Sequence, residues 1–173
     1  RWASVFNLKQ MAQTMNYLTE HGLLQYSNLV SKAESATAKY NDLAARIQAA
    51  EKRMAEIAVM KTHIINYVKT KDVYAAYRKA GYSKKYLAEH EPDILLHKAA
   101  KKAFDEQGMQ KLPTIKKLQN EYAELLVQKK KDYALYRQAR DEMRELLKAK
   151  ANVDRILGDE NRTGNTEKEQ AQR

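Results

Sequence analysis

Ten cations stand between Arg78 and Lys117: Arg78, Lys79, Lys84, Lys85, Lys98, Lys101, Lys102, Lys111, Lys116 and Lys117. Five carboxylates, Glu89, Glu91, Asp93, Asp105 and Glu106, face them, so half of the chain's net charge of +10 sits in under a quarter of its length. Ammonium and guanidinium groups at this density suit phosphate, and Tyr67, Tyr74, Tyr77, Tyr82 and Tyr86 interleave with them as rings on which bases stack. The lysines equally suit a solvated helix face. The tyrosines, at helical spacing beside Leu87, Ile94, Leu95 and Phe104, equally suit a small core. Both readings stay open, and the candidate phosphate contacts are Arg78, Lys79, Lys84, Lys85, Lys98, Lys101, Lys102, Lys116 and Lys117.

Other chemistry finds little support. His21, His63, His90 and His97 form no His-x-His or His-x-x-x-His pair, so no metal is expected. His90 and His97 fall within reach of Glu89 or Asp93, as surface histidines beside helix ends commonly do. Glu121, Glu124, Asp141, Glu142 and Glu145 lie three or four positions from lysines and arginines, the pattern of a solvated helix face. Neither a glycine-rich phosphate loop nor a nucleophile in a catalytic setting is present, and no cofactor is expected. The expectation is a chain that is not itself an enzyme.

The elements that would carry the basic segment are helices. Leu29, Ala33, Ala36, Tyr40, Leu43, Ile47, Ala50, Met54 and Ile57 recur in gaps of four and three, and the rhythm returns from Ile115 to Leu157. Such a stripe is stable only against another long helix, so two of them predict an all-α fold built on a long antiparallel coiled-coil hairpin. Five Gly, two Pro and 31% charged residues agree with extended helix. With no cysteine, a reducing cytoplasm is the expected setting. No apolar run approaches membrane-spanning length.

Residues 1–158 read as one elongated helical domain. An amphipathic N-terminal helix over 1–22 carries Val5, Phe6, Leu8, Met11, Ala12, Met15 and Leu18 and stops at Gly22. Ser27 is the expected N-cap of a long helix over 27–80, which Gly81 ends after about 80 Å. A helical tip over 83–108 holds two pieces, one capped by Ser83 and one opened by Pro92, with Gly108 as the stop. Leu112, Pro113 and Thr114 start the second long helix, over 113–157, which Gly158 ends. Its register positions are Leu118, Tyr122, Leu125, Lys129, Asp132, Tyr136, Ala139, Met143, Leu146, Lys150, Val153 and Leu157. Residues 159–173 are polar and read as a solvated tail.

Extending the first seam past Ile57 places Lys61, Ile64 and Val68 on it, while Asp132 is the odd charge on the second. If paired residue numbers sum to about 193, Lys61 meets Asp132 and each seam charge finds its opposite. Alternatively both side chains reach sideways to water, past Met60 and Tyr133.

Several stretches carry a resemblance. They are Phe6-Asn-Leu-Lys-Gln-Met-Ala-Gln-Thr, the run from Ala50 through Met54-Ala-Glu-Ile and His63-Ile-Ile-Asn, Ala76-Tyr-Arg-Lys-Ala-Gly-Tyr-Ser-Lys-Lys, and Leu96-His-Lys-Ala-Ala-Lys-Lys-Ala-Phe. Together with Leu112-Pro-Thr and Lys150-Ala-Asn-Val-Asp-Arg-Ile-Leu-Gly, they make the chain to about Gly158 resemble the C-terminal helical region of relaxases. These are the mobilisation nucleases of conjugative and mobilisable elements in Gram-positive bacteria. The chain opens at Arg1, inside a helical pattern and without methionine, and reads as a piece of something larger. The resemblance implies a DNA-nicking nuclease domain upstream, with its tyrosine nucleophile and histidine-held metal, and none of those roles transfers to residues here. For this chain it implies a non-catalytic accessory domain in conjugative transfer, binding single- or double-stranded DNA, or docking relaxosome or coupling proteins. The alternative is a coiled coil for protein interaction or homodimerisation without direct DNA contact.

Overall fold

Ala, Leu, Lys, Glu, Gln and Arg dominate the chain and lose little side-chain freedom in a helix, while glycine and proline fall only where helices stop, start or run out toward a polar end. The computed structural model describes residues 2–106, 108 and 112–171, with side chains over 7–106, 108 and 112–158. It is all-α: α1 (Trp2–Glu20), α2 (Tyr26–Lys79), α3 (Lys84–Glu89), α4 (Glu91–Glu106) and α5 (Ile115–Ala171), with no strand among the described residues. No helix of the described residues is long and apolar enough to cross a membrane.

The helix boundaries follow from local chemistry. Gly22, Gly81 and Gly108 take φ of +65°, +59° and +62°, the left-handed conformation expected at a helix end. Ser83 caps α3 by accepting from Tyr86 N–H at 3.5 Å, and Thr114 caps α5 by accepting from Lys117 N–H at 3.2 Å. Several boundaries differ from the sequence reading by a residue or two, the start of α5 at Ile115 rather than 113 among them. The start of α2 and the end of α5 differ for a physical reason. Asn28 and Leu29 N–H both donate to the Gln25 carbonyl, so α2 begins before Ser27, which lies inside its first turn rather than capping it. The second long helix runs through Gly158 to Ala171. Glycine inside a helix costs only about 1 kcal/mol relative to alanine, too little to stop a helix already under way.

The contacts divide the chain into two compact units, Arg1–Arg46 with Asp132–Arg173, and Ile47–Lys131. In the first unit α2 and α5 run antiparallel around Leu18, Leu23, Leu29, Ala33, Ala36, Leu146 and Ala149, with Tyr17, Met143 and Val153 packed against them. Leu29, Ala33, Ala139 and Leu146 are each 1% exposed, so the seam read from spacing is the core. The Tyr40 and Tyr136 rings stack at 4.9 Å with their hydroxyls 2.9 Å apart. Asn152 Nδ2 donates to Thr14 Oγ1 at 2.9 Å, which ties α1 to α5.

The second unit buries Ile57, Met60, Ile64, Ala100, Phe104 and Leu118, with Tyr67, Leu112, Ile115 and Leu125 against them. The register here corrects the sequence reading. After Ile57 the α2 seam takes a second three-residue step, to Met60, and continues through Ile64 and Tyr67, which leaves Val68 66% exposed and Lys61 on the flank. The buried Asp132 of the first unit pairs with Arg46 at 2.6 Å instead of Lys61. Tyr40 with Tyr136, Arg46 with Asp132 and Glu51 with Lys129 place the paired sum at about 178, a slide of about two heptads from the expected alignment. A guanidinium just outside the seam is long enough to reach in, so matching charges only between seam positions misplaced the register.

Candidate nucleic-acid interface

The basic residues gather on the second unit at three helix ends and along α4. Arg78 and Lys79 form the last turn of α2, where cations meet the free carbonyls and the negative end of the helix dipole. Lys84 and Lys85 open α3, Lys98, Lys101 and Lys102 share one side of α4 at spacings of three and four, and Lys116 and Lys117 lie in the first turn of α5. All nine side chains are exposed. Among the described residues one of the nine forms an ion pair, Lys102 with Glu106 at 3.7 Å. Lys98 Nζ sits 5.8 Å above the Tyr77 ring. Lys111 lies outside the described residues.

The tyrosines divide between the two roles left open. Tyr77 is 6% exposed and packs against Tyr74, Tyr82 and Tyr86. Tyr67 and Tyr74 close on the two sides of His97, at centroid separations of 4.5 and 4.2 Å and nearly parallel. These rings fasten α4 to α2. Only Tyr82, 56% exposed, keeps a ring in solvent.

His97 is the feature that spacing concealed. It lies 4% exposed on the inner side of α4, and its Nδ1 is 3.0 Å from Thr70 Oγ1. The Thr70 hydroxyl donates its single proton to the Asn66 carbonyl at 2.7 Å, so it accepts from His97, which assigns the ring proton to Nδ1. Burial, followed by the charge of Lys101, pushes the imidazole pKa below its ordinary 6.5, against a smaller upward pull from hydrogen bonding to the Tyr67 backbone. The packing therefore disfavours a charged ring. The signal available in the sequence was Tyr67, Thr70, Tyr74 and Tyr77 stepping along one stripe of α2.

A second group anchors the start of α5. Arg53 grips Glu121 in bidentate fashion, Nε to Oε1 at 2.6 Å and Nη2 to Oε2 at 3.2 Å, and also reaches Glu56. Hydrogen bonding to Arg53 holds the Glu121 carboxyl below its ordinary range, and the same bond raises Arg53. Glu121 lines a shallow basin with Thr114, Lys116, Lys117, Asn120 and Glu124. Its carboxylate is thus spent on Arg53, leaving Lys116 without an ion-pair partner among the described residues.

Among the described residues no group of three or more His, Cys, Asp or Glu could hold a metal ion. No protein-family model, curated protein or solved structure matches the chain.

Proposed function

We propose that this chain is a non-catalytic, cytoplasmic helical module that binds nucleic acid through the exposed cations of its second unit. The observation that carries the reading is that the nine candidate cations are all exposed on that unit and, among the described residues, only Lys102 of the nine forms an ion pair. Cations left unpaired on a packed scaffold release counterions when they meet a polyphosphate, a sequence-independent source of affinity. With most tyrosines turned into the core, phosphate contact supplies the binding and base stacking a smaller share. The sequence resemblance extends the proposal: an accessory C-terminal domain of a relaxase, holding DNA during conjugative transfer. Replacing Lys79, Lys84, Lys85 and Lys101 by glutamate is expected to abolish retention of labelled DNA while helicity by circular dichroism is unchanged. Undiminished retention by the folded variant would refute the reading.

A second reading, a protein-interaction or self-association module, draws on α1. Leu8 and Met15 are 69% and 53% exposed and stand two turns apart on one face with Met11 between them. This reading predicts a dimer, or a relaxosome or coupling-protein partner, seated on α1. Light scattering that reports a monomer at high concentration would remove the homotypic form.

A further inference from the structure

The four-residue corner between α2 and α3 holds a feature that packing does not explain. Tyr82 has φ of +60°, the one non-glycine in the left-handed region among the described residues. An aromatic side chain is strained there, and the preceding Gly81 already supplies the turn at φ of +59°. Tyr82 is not spent on the core: its ring meets Tyr77 nearly at right angles, 85° at 5.2 Å, and the residue remains 56% exposed. Tyr77 is in turn held by Tyr86, near-parallel at 6.3 Å, so the exposed ring is braced from behind by a buried one. Arg78 and Lys79 precede the corner, Lys84 and Lys85 follow it, and none of the four has an ion-pair partner among the described residues.

We infer that Tyr82 is a stacking platform for an unpaired base, making this corner a single-strand-selective site. The inference rests on the nucleic-acid reading above and deepens it. In a duplex each base face is covered by its neighbours, so an exposed ring gains nothing from approaching, and only the four cations contribute. An unpaired strand brings the same phosphates and a free base face, and the ring, already held out by its backbone conformation, loses little freedom on stacking. The ring therefore shifts the preference toward the single strand, whereas charge alone favours the denser phosphates of a duplex.

The test is fluorescence anisotropy with a labelled oligothymidine and with a duplex of equal length, at one fixed salt concentration. Tyr82→Ala is expected to weaken oligothymidine binding about tenfold and to leave duplex binding within about twofold of the parent, while Tyr82→Phe retains both. Tyr82→Gly removes the ring and also relaxes the backbone, so it keeps the test valid if the alanine variant is poorly folded; it should bind like the alanine variant. Oligothymidine affinity unchanged in the glycine variant, or an equal fall for both ligands, would overturn the platform and leave the phosphate-binding reading standing. A parent protein that retains neither ligand would overturn both.

Discussion

Arg46 Nη2 donates to Asp132 Oδ1 at 2.6 Å, and this bond joins a half-exposed guanidinium to a carboxylate whose side chain is only 5% exposed. Taking the guanidinium away leaves a buried carboxylate short of its charged donor, which costs more than the bond itself contributes. Arg46→Ala is expected to lower unfolding stability by about 1–3 kcal/mol. Asp132→Leu in the same background should recover much of that loss, because a packed apolar side chain on a seam needs no partner. Urea titrations of the two single variants and the double variant measure the coupling, and simple additivity would contradict it.

His97 makes the second unit sensitive to acid. Its folded pKa lies below the ordinary 6.5, so the unfolded chain binds the proton more readily. The stability it contributes is complete above about pH 6.5 and falls as pH drops through the depressed value. Lys101 is the charge that acts on the ring, while Tyr67, Tyr74 and Thr70 face it as neutral groups. His97→Phe, which keeps a ring between the two tyrosines, should flatten the melting temperature between pH 7 and pH 5, where the parent declines. An equal decline in both would assign the effect elsewhere.

Two glycines with open space around the position of an added Cβ should respond with opposite signs. Gly81 has φ of +59°, and alanine there meets no neighbour but must adopt a left-handed conformation, a cost of about 1 kcal/mol. Gly158 lies inside α5 without positive φ, and alanine there should stabilise by up to about 1 kcal/mol. Thermal melts of Gly81→Ala and Gly158→Ala should therefore move in opposite directions.

The all-α architecture and the antiparallel pairing were legible because Leu29, Ala33, Leu43, Met54 and Ile57, buried in the structure, already stand on one stripe in the sequence. The cap at Ser83 and the stops at Gly22 and Gly81 were legible for a similarly local reason, since one side chain or one backbone angle decides each. Register was not. It depends on where Arg46 can reach, which leaves no mark in seam spacing, and on a second three-residue step from Ile57 to Met60 in place of the regular four-residue step to Lys61. The basic face was legible as composition, because exposed lysines have no packing to override their pattern. Which tyrosine stays in solvent was hidden, since Tyr77 and Tyr82 differ in role only through the backbone of one corner.

Arg53 and Glu121 offer a stability test that substitutes none of the nine candidate cations. Glu121 is held below its ordinary carboxylate range by Arg53, so its contribution is present above about pH 4.5 and is lost as pH falls through the depressed value. Both side chains are partly exposed, at 44% and 34%, and solvent screening limits the pair to about 1 kcal/mol. Glu121→Gln should lower the melting temperature by a few degrees at pH 7 and by less at pH 3. Added salt should shrink the difference, since counterions screen the same attraction. A loss of equal size at pH 3 and pH 7 would mean that the glutamate acts through packing rather than through the guanidinium.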